Sequence, residues 1–161
     1  MGEVLTESRQ IKIVIGFKWL NADACCDLNI PGYETSGASG MDVCAALEQA
    51  VDLHPGDIEM IPTGFAIDIP VGFEVQVRPR SGLAIKHGIT IVNAPGTIDS
   101  DYRGEVKIGL INVSRSVFTI KRGDRIAQLV VAPVVKAHVE VVESLSSSKR
   151  GVGGFGHTGV R

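Results

Sequence analysis

Several things are missing or scarce in this chain, and each absence removes a class of function. No uninterrupted apolar run is long enough to cross a bilayer as a helix, so no membrane partner is expected. Positive charge is not in excess. The formal net charge is −2 at pH 7, whereas a protein that coats nucleic acid needs a basic surface. Any anionic ligand must instead be met by local arginines and backbone amides. Cysteine is scarce: Cys25, Cys26 and Cys44 are odd in number, two of them adjacent, and their spacing suits neither zinc nor a disulfide framework. Three reduced thiols imply a reducing compartment. The start, Met1-Gly-Glu-Val, lacks the basic stretch and apolar run of a secretory signal, which adds to the expectation of a cytoplasmic protein. Long helical periodicity is absent too.

What remains is a chain of 161 residues, enough for one domain with its own core. Residues 11–145 read as many short strands separated by turns. Ile11, Ile13 and Ile15 alternate with Lys12, Val14 and Gly16, as in a strand with one buried face. Further strands are expected over 58–61, 64–69, 73–78, 89–92, 106–112, 117–120, 126–135 and 138–142. Turns at Pro55, Pro62 and Pro70 punctuate them. This predicts an all-β domain, a barrel or a jelly-roll sandwich. One short helix is expected at Ser81-Gly-Leu-Ala-Ile-Lys-His-Gly88, with Ser81 as its cap and Gly88 closing its end in a left-handed conformation. Residues 1–10 are set apart as a flexible N-terminus. After Leu145 the composition turns to Ser and then to five glycines between Gly151 and Gly159. Residues 146–161 are therefore expected to form a tail that packs no core and is mobile when empty.

The densest chemistry lies in residues 93–105, Asn-Ala-Pro-Gly-Thr-Ile-Asp-Ser-Asp-Tyr-Arg-Gly-Glu. Turn signals at Pro95-Gly96 and Arg103-Gly104 bracket two carboxylates and a ring. A hairpin of this kind can hold a small ligand between its arms, with Asp99 beside it as a base. Arg80-Ser81-Gly82 offers a hydroxyl, a close backbone approach and a guanidinium suited to phosphate, although a capped surface helix would read the same. Asp42, after the Ser39-Gly40 turn, could hold a hydrated magnesium or be only a turn aspartate. Gln128 stands in an apolar alternating run where its amide needs partners, either structural groups or phosphate oxygens. The tail segment Gly151-Val-Gly-Gly-Phe-Gly156 matches a dinucleotide fingerprint formally, but no crossover unit precedes it, and no Walker lysine follows. Arg150 and Phe155 give a flexible strap a cation for phosphate and a ring for a base, a stack of about 1–3 kcal/mol. His54, His87 and His138 lie far apart and read as structural or surface residues.

Taken in order, five segments resemble the five motifs of the trimeric deoxyuridine triphosphatases (dUTPases). They are Ala38-Ser-Gly-Met-Asp-Val-Cys-Ala, Pro79-Arg-Ser-Gly-Leu-Ala, residues 93–105, Gly123-Asp-Arg-Ile-Ala-Gln-Leu and residues 150–159. The resemblance covers residues 11–160 and implies a jelly-roll β-barrel of the β-clip kind that assembles as a homotrimer with active sites shared between subunits. It implies hydrolysis of dUTP to dUMP and pyrophosphate, which limits uracil in DNA and supplies dUMP for thymidylate synthesis. Asp99 would activate the water. Asn93 and the backbone of Thr97, Ile98, Asp99 and Lys107 would read uracil, and Tyr102 would lie against the deoxyribose and reject UTP. Arg80, Ser81, Gly82 and Gln128 would hold the phosphates, and Asp42 would act on Mg2+ through water. Arg150 would meet the γ-phosphate while Phe155, with Gly156 beside it, closes over uracil. The family's tail commonly reads Gly-Phe-Gly-Ser-Thr-Gly, and here His157 replaces that serine. A protonated imidazole donates more strongly, so affinity is expected to rise modestly below neutral pH, and to lose that rise in His157→Ser. Two alternatives are a dCTP deaminase, a related fold that relies on a pocket glutamate, and a catalytically inactive nucleotide-binding trimer.

Overall fold

The computed structural model describes residues 13–154. Twelve strands and one helix follow one another along the chain, and every strand pairing is antiparallel. The largest sheet runs β2 (Gly32–Tyr33), β3 (Met41–Cys44), β12 (Arg125–Pro133), β7 (Phe73–Arg78) and β9 (Gly96–Ile98). A second joins β5 (Ile58–Pro62), β10 (Lys107–Asn112) and β8 (Ile89–Ile91). Two strand pairs complete the wall, β1 (Gly16–Trp19) with β6 (Phe65–Asp68) and β4 (Val51–Leu53) with β11 (Phe118–Ile120). The expected all-β architecture with one short helix is what these strands build.

Alternation explains which face turns inward. On β7, Val75 and Val77 are buried while Arg78 is exposed, and on β10, Ile108 and Leu110 point into the same core. Phe17, Trp19 and Phe65 close one end, with ring centroids 4.8–6.0 Å apart. The buried Asn112 acts as a polar plug. Its amide donates to the carbonyls of Leu53 and Ser116, both at 2.8 Å, and its oxygen accepts from the Ser114 N–H at 2.9 Å. A buried amide satisfied this way ties β10 to β4 and to the following loop.

Helix α1 (Ser81–His87) occupies the expected residues and ends at Gly88, whose φ of 67° is the left-handed cap. The start differs from expectation: the N-cap residue is Arg80, and no side chain caps it. Ser81 is already helical, which leaves its hydroxyl free for other partners. Of the first expected strand, Ile11 and Lys12 lie outside the described residues, and residues 13–15 are not in a ladder. Ile15, Phe17 and Trp19 do face the core, but the ladder opens only at Gly16, opposite Asp68 at the end of β6.

The expected strand over 138–142 does not form, and every residue there is exposed. A strand is held by its neighbour's hydrogen bonds, and no described segment of this chain lies beside it. Residues 93–105 are not a simple hairpin either. β8 and β10 pair at the base of the excursion, Ile91 opposite Leu110, but the strand inside it, β9, pairs with β7, Ile98 opposite Val75. The excursion is thereby pinned to the large sheet.

Candidate active site

The loop between β8 and β10 encloses a cavity of about 270 Å³, at the small end of the range for ligand pockets. Asn93, Thr97, Ile98, Asp99, Tyr102 and Lys107 all line it, so every base- and sugar-reading residue expected from the sequence meets here. The side walls come from buried Val77 and Ile91. Small residues make the room. A Cβ on Gly109 would stand 3.2 Å from Val92 and 3.3 Å from the Met60 sulfur, and one on Gly96 would stand 3.3 Å from the Asn93 amide. Asp99 follows the last ladder residue of β9, with its carboxylate exposed and no ion pair to any described residue.

Glu105 organises the return arm. Its carboxylate accepts the Gly64 N–H at 3.0 Å and stands 3.5 Å from the Lys107 ammonium, while its carbonyl accepts the Tyr102 hydroxyl at 3.0 Å. The phenol end of Tyr102 lies against Gly104, where an added Cβ would meet the ring carbon Cζ at 2.6 Å. Glu105 and Gly104 therefore set the ring's position, a role that the turn chemistry of Arg103-Gly104 only partly signals.

A second cavity, of about 400 Å³, holds Asp42, Arg80, Ser81, Gly82 and Gln128, the residues expected around phosphate. A β-bulge between Arg125 and Ala127 shifts the register of β12. It brings Gln128 opposite Asp42 on one side and Arg78 on the other. Gln128 donates to the Pro79 carbonyl at 2.9 Å. Gly40 makes this possible, since a Cβ there would lie 2.2 Å from the Gln128 amide oxygen. Asp42 sits between two cations: one oxygen accepts from Arg80 Nε at 3.1 Å and the other from Arg125 Nη1 at 3.0 Å. Arg80 also donates to the Arg125 carbonyl at 2.9 Å. Lys86 and His87 line this cavity as well, and His87 packs against Phe118 with ring centroids 5.1 Å apart and the planes tilted by 51°. Neither was expected here: Lys86 carried no reading of its own, and His87 reads in the sequence as a structural or surface residue. The available signal was spacing, since Lys86 lies one helical turn beyond Gly82.

Among the described residues, none lines both cavities. Arg150 lines neither. It is exposed, and its guanidinium donates to the Gly153 carbonyl at 2.6 Å in a local turn. Phe155, Gly156 and His157 lie outside the described residues.

A β-domain with a small base-sized cavity, an exposed carboxylate at its rim and a separate arginine-lined cavity defines a nucleotide-handling protein. Residues 27–159 match the family model for dUTPase. A deoxyuridine 5'-triphosphate nucleotidohydrolase from Desulfotalea psychrophila is 62% identical over 146 residues, covering 91% of this chain and 97% of its own length. One of the same name from an Anaeromyxobacter strain is 58% identical over 132 residues, covering 82% of this chain and 88% of its own. A mutant dUTPase of Staphylococcus bacteriophage 80alpha, solved with dUpNHpp, superposes with a TM-score of 0.80 at 26% identity, covering 91% of this chain and 99% of that one. The chain belongs to the dUTPase family.

Proposed function

We propose that this protein hydrolyses dUTP to dUMP and pyrophosphate with Asp99 as general base. The observation that carries the proposal is the unpaired carboxylate of Asp99 at the rim of the base-sized cavity. Asp99 takes a proton from water as the water oxygen bonds to the α-phosphorus. The bond from that phosphorus to its bridging oxygen breaks on the opposite side, and pyrophosphate leaves. Asn93 and the backbone of Thr97, Ile98, Asp99 and Lys107 read uracil and discriminate against a 5-methyl group. Tyr102 packs on the deoxyribose. Arg80, Ser81, Gly82 and Gln128 take the phosphates, while Arg150 and Phe155, with Gly156, close the tail over the nucleotide.

A homotrimer with shared sites fits two observations. The base and phosphate cavities have no described residue in common, which suits a nucleotide that bridges cavities of different subunits. The arm beyond β12 is extended and exposed, and Val135, Val139 and Val141 alternate with Lys136, His138 and Glu140. That pattern suits a strand completed by a neighbouring subunit's sheet. Residues 11–145 form the body in this arrangement and 146–161 the closing tail. The unpaired thiols of Cys25, Cys26 and Cys44 suit a cytoplasmic location.

Magnesium fits the phosphate cavity in one way. Both Asp42 oxygens already accept from guanidinium groups, and among the described residues no group of three His, Cys, Asp or Glu is placed to hold a metal. Such a donor set suits a hydrated ion that Asp42 touches through water, the triphosphate supplying the direct ligands. When bound, the ion would neutralise phosphate charge.

Pyrophosphate release from dUTP with magnesium, beside UTP, dTTP and dCTP, tests the proposal. Release from dUTP and little from the others is expected. Equal release from UTP or dTTP would overturn the assigned selectivity. Ammonia from dCTP would favour a deaminase, whose pocket glutamate would have to be Glu105, here engaged by Gly64 and Lys107. Tight dUTP binding without any release would leave an inactive nucleotide-binding trimer.

A further inference from the structure

A triphosphate brings a large negative charge, yet the arginine cluster at the phosphate cavity is already balanced internally. Arg80 and Arg125 share Asp42, and Arg125 also stands 3.5 Å from Glu34. Two cations face two carboxylates, so the cluster adds geometry and little net charge. Arg80 has also committed Nε to Asp42 and Nη1 to the Arg125 carbonyl. The cavity's other strong cation is Lys86, which is exposed and makes no ion pair with any described residue.

Lys86 lies four residues after Gly82 on α1, hence on the same helix face. Helical side chains lean back toward the N-terminus, which directs the lysine stem toward Gly82. The space over Gly82 is open, since a Cβ there would meet no described atom within 4 Å, so the stem has room to swing across it. We propose that Lys86 binds the β,γ end of the triphosphate and supplies the net positive charge that the paired Arg80 does not. Its ammonium is a mobile point charge, suited to a flexible polyphosphate, while Arg80 is held as a directed fork. Lys86 is thus a substrate-binding residue that separates triphosphate from monophosphate. The inference rests on the proposed dUTP site.

The test compares the full-length protein with Lys86→Met and Lys86→Arg, measuring affinity for an imido-bridged dUTP analogue and for dUMP, with magnesium, at two salt concentrations. Loss of one charge-assisted phosphate contact should weaken the analogue about tenfold in Lys86→Met, leave dUMP unchanged and flatten the salt dependence. Lys86→Arg should recover most of the affinity. Unchanged analogue affinity in Lys86→Met would overturn the inference, as would an equal loss for dUMP, which would mean a distorted helix. Wild-type protein that binds neither nucleotide would overturn the dUTP reading and the inference with it, a result distinct from a silent Lys86.

Discussion

Adding one methyl group at Gly104 should unseat Tyr102. The new Cβ would lie 2.4 Å from the phenol oxygen and 2.6 Å from Cζ, where a carbon pair prefers about 3.5 Å or more. The ring must retreat by about 1 Å, since the obstacle is a stiff aromatic on a short tether. Its hydrogen bond to the Glu105 carbonyl, at 3.0 Å, goes with it. That bond alone is worth about 1 kcal/mol, or roughly fivefold. Misplacing a positioning group by about 1 Å costs up to 100-fold. Gly104→Ala should therefore lower kcat/KM for dUTP by about 5–100-fold, with the dUTP-to-UTP ratio falling in step. Stability should change by no more than about 1 kcal/mol, because the restriction alanine places on the unfolded chain, at a glycine without positive φ, offsets part of the lost bond. Steady-state kinetics on both nucleotides, with a thermal melt, decide the matter. Wild-type kcat/KM for both would refute the role of Tyr102, and so would an activity loss matched by a large fall in Tm.

Gly40→Ala should act on the phosphate side: its Cβ, 2.2 Å from the Gln128 amide oxygen, displaces that side chain and should raise KM for dUTP several-fold. Melting should barely change, since the group displaced is flexible, and a KM that stayed put would remove Gln128 from the phosphate site. Asn112→Ala strips partners from the Leu53 and Ser116 carbonyls and from the Ser114 N–H in a buried site. It should cost about 3 kcal/mol. That corresponds to a Tm fall of roughly 6–12 °C, and a change near zero would contradict the role of the plug. The hydrogen bond from Arg122 holds the Asp27 carboxyl below its ordinary value of 3.8, and Arg122 also ties this loop to the Leu47 carbonyl. A depressed carboxyl stabilises the fold above its unfolded pKa, and that contribution is lost as pH falls through the folded value. Trp19 fluorescence should therefore change in mild acid below about pH 4, and Asp27→Asn should remove the pH dependence of that change.

Local signals were legible in the sequence, and partnerships were not. Val75 and Val77 between the Pro70 turn and Arg80 announce β7, and the glycine at 88 ends α1 where a left-handed residue is required. β9, by contrast, was read as one arm of a hairpin, because its actual partner β7 lies far earlier in sequence. Residues 138–142 alternate like a strand, but no described segment pairs with them. The first four motifs named residues that line the two cavities, yet their linear order hid two facts. Asp42 is engaged by both Arg80 and Arg125, and the two cavities have no described residue in common. Lys86 and Glu105 escaped notice because their roles depend on what stands across from them.

Asp99→Asn under single-turnover conditions bears most directly on the central claim. The amide keeps the carboxylate's shape but cannot take a proton from water, so dUTP should bind with near wild-type affinity while pyrophosphate formation falls by at least about 100-fold. Hydrolysis of dUTP by that variant at the wild-type rate would show that another group activates the water and that Asp99 is not the base.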